Sequence, residues 1–230
     1  EGIDYAHLQK LYPTPPPRRT KPLVLLVSPF ALFPPSHGGA RRVAELVARL
    51  RDRHDFILLS DEASLYDEHA REGLLQFRAF HLIEGRGDLI GEGPLRFRER
   101  MQRHAWPRLR TTLHQLIESY RPDLVQIEFM ELARLIEDRV DRLPWTLSLH
   151  DVTIGVDAGE CDNEQQALID RYEAVAVCSP EDAALLQRDD ARLVRNGATD
   201  RRASYQASPS MPPLLLFMGP LRYGPNRRGI

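Results

Sequence analysis

The chain has 230 residues, 42% of them hydrophobic and 28% charged, a balance that supports a packed core and excludes a disordered segment. Its formal charge of −2 gives no overall field that would draw it to nucleic acid or to an anionic membrane. Two cysteines, Cys161 and Cys178, supply neither a disulfide framework nor a tetrahedral metal site, and fit a reducing cytoplasm.

No apolar run reaches the roughly 18 residues of a transmembrane helix, and the amino terminus lacks the charged-then-apolar pattern of a signal peptide. The chain begins on Glu1 and ends just after Pro225-Asn226-Arg227-Arg228-Gly229, the opening turn of a helix, so both ends read as cut. Tyr12 to Pro22 is a polyproline-type spacer, which makes residues 1–21 a proline-rich tether ahead of the folded domain.

Leu23 to Val27 is a continuous apolar run, and Arg41 to Leu50 then places Val43, Leu46, Val47 and Leu50 on one helical face: strand, then helix. Phe56 to Leu59 and Leu74 to Ile83 read as strands. Leu95 to Tyr120 reads as a long amphipathic helix bent at Pro107. Asp123 to Glu128, Trp145 to Leu149 and Ala174 to Cys178 are buried-type strands, with a helix over Asp162 to Tyr172 before the last. Ser179-Pro180-Glu181-Asp182 is a helix start with a capping serine, proline at the first position and acids in the first turn. Uniformly apolar strands alternating with helices imply an α/β doubly wound, Rossmann-like parallel sheet over residues 22–201. Residues 202–213 read as an interdomain linker, and 214–230 as the start of a truncated second domain.

In such sheets ligands bind beyond the carboxyl ends of the strands. After the first strand, Gly38 and Gly39 remove side chains where the backbone enters a helix, so an anion or a sugar hydroxyl can approach free N–H groups and the positive helix end. Arg41 and Arg42 stand in the first helical turn, where their charge opposes the helix dipole and a bound anion would relieve it. The same residues also fit a plain helix entry with surface arginines. No Gly-Lys-Ser/Thr follows, so this is not a Walker loop, and the glycine spacing does not fit the dinucleotide fingerprint. Asp61 and Glu62 nevertheless end the second strand, where a dehydrogenase holds the ribose of NAD(P).

Glu128 and His150-Asp151 end two later strands. A histidine there can donate to a sugar hydroxyl or phosphate oxygen, its tautomer set by Asp151 or Glu128. It also fits a structural histidine, and Glu128 a helix cap or ion-pair partner. Arg96, Arg98, Arg100, Arg103, Arg108 and Arg110 lie on the long helix with Met101 and Trp106. A basic amphipathic helix can lie on anionic lipid, although such a run also makes an ordinary solvated face. His54, His69, His81, His104 and His114 show no metal-ligand spacing, so no metal site and no cofactor are expected.

Six stretches in order resemble the amino-terminal half of a GT-B glycosyltransferase of glycosyltransferase family 4. They are Pro35-Ser36-His37-Gly38-Gly39-Ala40-Arg41-Arg42, Pro122-Asp123-Leu124-Val125-Gln126-Ile127-Glu128, Leu147-Ser148-Leu149-His150-Asp151, Ala174-Val175-Ala176-Val177-Cys178-Ser179, Val194-Arg195-Asn196-Gly197-Ala198-Thr199-Asp200 and Leu215 to Asn226. The resemblance implies a first, acceptor-side Rossmann-like domain followed by the start of a nucleotide-sugar domain. By it, the Gly38-Gly39 loop lies beside the donor phosphates or the acceptor, His150 lies near the transferring sugar, Asn196-Gly197 turns into the linker, and Gly219 opens the donor domain's first loop. Glu128, Asp151, Arg41 and Arg42 are then substrate contacts. The implied partners are a nucleotide-diphosphate sugar and a glycan or lipid-linked acceptor, with peripheral contact at the inner membrane face and no nucleic acid; the implied activity is retaining sugar transfer in glycan or polysaccharide synthesis. The loop with Gly155, Asp157, Gly159 and Glu160 is shorter than the family's, and Ala198-Thr199 replaces its usual valine. The family's carboxyl-terminal paired glutamates do not occur before Ile230, so the chain alone is expected to be inactive. Two rival readings are an NAD(P)-binding dehydrogenase domain and a noncatalytic interaction domain that docks through the proline tether and the arginine-rich helix.

Overall fold

The computed structural model of the protein describes residues 20–84, 97–140, 142–152, 161–197, 200 and 202–204. Residues 1–19 of the tether, the 153–160 loop, linker residues 205–213 and everything expected of 214–230, Gly219 included, lie outside the described residues.

Strand β1 (Leu23–Ser28) is buried at every position. It lies between two strands, and its side chains alternate into two separate cores. Val24 and Leu26 meet Val43, Val47, Phe56 and Leu58 on one face, whereas Leu23, Leu25 and Val27 meet Leu109, Leu113 and Trp145 on the other. Helix α1 (Gly38–Leu50) buries Ala40, Val43, Ala44 and Val47, a stripe at helical spacing. Leu46 and Leu50, expected on the same buried face, instead line a groove of about 340 Å³ where α1 overhangs the sheet.

Strand β2 (Asp55–Ser60) is followed by two 3₁₀ turns (Ala63–Leu65 and Glu68–Ala70), a one-turn helix α2 (Arg71–Leu74) and strand β3 (Ala79–Leu82). The strand expected over Leu74 to Ile83 is therefore less than half as long as the apolar pattern implied. Leu74, the last residue of α2, and Phe77, in the turn after it, are buried against Phe33, Phe56 and Phe80, so their hydrophobicity serves a corner rather than a ladder. The long helix expected up to Tyr120 is two helices, α3 (Phe97–His104) and α4 (Pro107–Tyr120). Pro107, without an N–H, starts the second helix instead of bending the first.

Strand β4 (Leu124–Glu128) leads into a nine-residue 3₁₀ segment (Met130–Asp138) that buries Met130, Leu132, Ala133, Leu135 and Ile136. Strand β5 (Trp145–Ser148), helix α5 (Cys161–Ile169), strand β6 (Ala174–Val177), helix α6 (Pro180–Leu185) and the short strand β7 (Arg192–Leu193) complete the order, with a last 3₁₀ turn at Arg202–Ser204. Ser179 caps α6 as the sequence indicated, its Oγ accepting from the Asp182 amide at 3.0 Å with Pro180 next in line.

The seven strands run in the order β3-β2-β1-β4-β5-β6-β7, with every pairing parallel. This is the doubly wound α/β sheet that the sequence predicted. Its order reverses between β1 and β4, and the crevice beyond the carboxyl ends of those two strands is where such sheets hold ligands.

Candidate functional site

Three loops meet at that crevice. The first leaves β1 and enters α1. His37 caps the helix with extended backbone, and its Nδ1 accepts from the Ala40 amide at 3.2 Å. No described group takes up the Gly38 and Gly39 amides, so the helix start offers two donors at its positive end. The two glycines are not equivalent. A Cβ on Gly38 would meet nothing within 4 Å, whereas one on Gly39 would stand 2.7 Å from Cε1 of Phe129 and 3.2 Å from Nδ1 of His150. Gly39 is required by close approach.

The second loop leaves β4, and the third leaves β5. Glu128, 1% exposed, places Oε2 at 2.8 Å from Nε2 of His150, whose side chain is 7% exposed. The Gln126 amide, on the same face of β4, also bonds the Glu128 carboxylate. Phe129 stacks on His150 with centroids 3.9 Å apart and planes 10° from parallel. It also meets Phe30 edge-on at 5.1 Å, and Phe30 in turn meets His104 at 5.4 Å and His37 at 5.9 Å. Asp151 is exposed at the rim. Thus Gly38, Gly39, Glu128, His150 and Asp151 are gathered at one end of the sheet.

The two arginines part company. Arg41 is exposed and lies 3.7 Å from Glu45, one turn along. Arg42 is 8% exposed and donates to Asn196 Oδ1 at 2.8 Å and to the Val194 carbonyl at 2.7 Å. Its guanidinium is therefore an internal brace between α1 and the segment after β7, not a group standing open for an anion. Asp61 and Glu62 are also engaged. Asp61 accepts from the Trp106 indole at 3.1 Å and the Glu62 amide at 2.8 Å, and the Glu62 carboxylate accepts from the Ala31 amide at 3.1 Å. Glu62 thus holds the loop after β1 and Asp61 the Trp106 corner between α3 and α4, and nothing in their placement favours a ribose of NAD(P). The arginines expected to make a basic face are partly matched by acids or carbonyls: Arg98 pairs with Glu164, Arg110 with Glu137 and Asp138, and Arg108 donates to the Glu84 carbonyl. Arg96 and the side chain of Arg100 lie outside the described residues.

Two site residues escaped the sequence reading. Cys178, just after β6, donates its thiol to the Leu149 carbonyl at 3.4 Å, beside His150 in sequence, and burial pushes its pKa up. Phe129 has φ 69° and ψ 149°, a backbone region that belongs to glycine. No residue type announces such an angle; the only sequence signal is that Phe129 follows the strand-ending Glu128.

The fold and this site define an α/β Rossmann-like lobe with its crevice at the β1/β4 reversal. Among solved structures, the chain is similar to sucrose-phosphate synthase from Thermosynechococcus elongatus (TM-score 0.56, 14% identity, 77% of this chain and 48% of that one). It is also similar to a UDP-glucosyltransferase from Polygonum tinctorium capable of glucosylating indoxyl (TM-score 0.53, 12% identity, 77% and 53%). Phytolacca americana UGT2, solved with UDP-2fluoro-glucose and pterostilbene, matches at TM-score 0.50 and 13% identity, over 80% and 55%. The chain thus spans about half the length of the structures it matches, and at these identities the likeness establishes the fold. No family model matches the chain, and no curated protein sequence matches it.

Proposed function

We propose that the chain is the acceptor-side lobe of a GT-B glycosyltransferase, of the family 4 type that its motifs resemble, which transfers a sugar with retained configuration from a nucleotide-diphosphate sugar to a hydroxyl of a glycan or lipid-linked acceptor at the cytoplasmic face of a membrane. In this reading residues 202–213 form the linker, and 214–230 open the nucleotide-sugar domain with Gly219 in its first loop. The observation that carries it is the meeting of Gly39 and His150 at the sheet's reversal point. The barrier to sugar transfer lies in departure of the nucleotide diphosphate, so catalysis needs charge stabilisation and positioning more than a protein nucleophile. The Gly38 and Gly39 amides at the helix start suit the first task. His150, held by Glu128, suits the second. In this reading the exposed Asp151 and Arg41 contact the acceptor, whereas Arg42 acts by bracing α1.

The test is sugar transfer by the longest natural form of the protein, over a panel of nucleotide sugars and polyol acceptors, with the anomeric configuration of the product read by NMR. Transfer that preserves the donor's configuration supports the reading. Tight NAD(H) binding without transfer would replace it with a dehydrogenase, and an inverted product would remove the retaining mechanism alone.

A further inference from the structure

In a strand, consecutive side chains point to opposite faces, so two neighbours at a strand's end cannot ordinarily grip one partner. Glu128 and Phe129 do. Glu128 continues the face of β4 that carries Gln126, and its Oε2 meets the edge of His150 at Nε2. Phe129 should then turn away. Its φ of 69° instead swings the ring back over the same imidazole, which it covers in a nearly parallel stack. The strand ladder is not broken to do this, since the Phe129 amide still donates to the Ser148 carbonyl at 2.9 Å. A positive φ at phenylalanine is strained backbone, and such strain persists only where the surroundings enforce it.

We infer that Phe129 is a positioning residue: with Glu128 it fixes His150 as the Nε2–H tautomer and presents Nδ1, beside Gly39, as a hydrogen-bond acceptor for a ligand hydroxyl. This rests on the sugar-transfer reading for the identity of the ligand, a sugar or polyol, but not for the state of the ring. A carboxylate only accepts, so the proton between His150 and Glu128 belongs on Nε2 and Nδ1 keeps its lone pair. Among the described residues Nδ1 has no hydrogen-bond partner, and it lies at the helix start, 3.2 Å from where a Cβ on Gly39 would stand. With one nitrogen committed to Glu128 and one face covered by Phe129, Nδ1 is the atom the ring has left to offer. On this proposal His150 accepts through Nδ1, where the sequence reading allowed it to donate.

The experiment is long-range ¹H–¹⁵N spectroscopy of the histidine-labelled chain, at a pH where the imidazoles are neutral, with His150 assigned by substitution. The expected spectrum shows Nε2 protonated and Nδ1 bare, and added methyl glucoside shifts the Nδ1 signal. Phe129→Tyr, which keeps a ring, retains this pattern. Phe129→Leu, which fills the space without a stack, moves it toward an average of both tautomers and loses the response to the sugar. A residue that merely fills space would lower Tm in Phe129→Leu and leave the tautomer unchanged; that result overturns the proposal, as does a wild-type ring protonated on Nδ1. The readout needs no turnover. The expected tautomer in a protein that transfers no sugar removes the function and keeps this role for Phe129, whereas sugar transfer by a protein whose His150 is protonated on Nδ1 removes only the role.

Discussion

At the scale of the residue, burial decides which ionisable groups respond to pH. His81, at the end of β3 and 3.3 Å from the Tyr120 hydroxyl, is desolvated enough that its pKa falls from 6.5 to about 4. Between those values the unfolded chain takes up a proton that the folded one refuses. Stability is therefore full above about pH 6.5 and is lost as the pH falls toward 4, by up to about 3 kcal/mol. Urea unfolding across this window is expected to show that loss in the wild type and a flatter profile in His81→Leu; equal slopes would refute the assignment. The same scale marks the limit of reading the sequence. His150, Glu128 and Gly39 were legible because their types are unusual at the end of a strand or the start of a helix. Phe129 was not, because its contribution comes from a backbone angle. Arg42 was legible as a charge and illegible as a brace, because its partners Val194 and Asn196 lie more than 150 positions away.

At the scale of the element, the start of α1 carries the most demanding geometry. Gly39→Ala would drive a methyl group into Phe129 and against His150, an overpacking that costs about 1–3 kcal/mol and displaces the imidazole. Gly38→Ala meets open space and restricts the unfolded chain, for a gain of up to about 1 kcal/mol. Thermal unfolding of the two variants is expected to move in opposite directions, and equal losses would show that flexibility, not close approach, is what the pair provides. Strand and helix types followed readily from apolar periodicity, and proline placed the α3/α4 boundary within the expected helix. The lengths were less legible. Leu74 and Phe77 carry strand-like hydrophobicity, but Phe33 and Phe56 draw them into a corner. The Met130–Asp138 segment has helical spacing at Leu132, Leu135 and Ile136, a signal eclipsed by the charged motif in front of it.

At the scale of the whole molecule, the strand order turns separate motifs into one site: the reversal between β1 and β4 brings a turn near residue 39 against residues 128–129 and 150. Parallel strands with helices between them made this sheet legible, whereas the contact between the β1 and β5 loops could only come from the fold. Arg42 extends the same logic to the chain's exit, tying α1 to the segment after β7. Arg42→Met would leave the Val194 carbonyl and Asn196 without their donor, for a loss of about 1–3 kcal/mol, and hydrogen exchange at residues 192–197 is expected to quicken while β1 and β4 stay protected. Unchanged protection there would show that the brace is incidental. The most direct test of the central claim, that the diglycine turn and His150 form one sugar-transfer site, is the transfer rate of the longest natural form of the protein with and without the imidazole. His150→Ala is expected to lower that rate about a hundredfold with the fold intact by circular dichroism; a folded variant that transfers sugar at the wild-type rate would contradict the account.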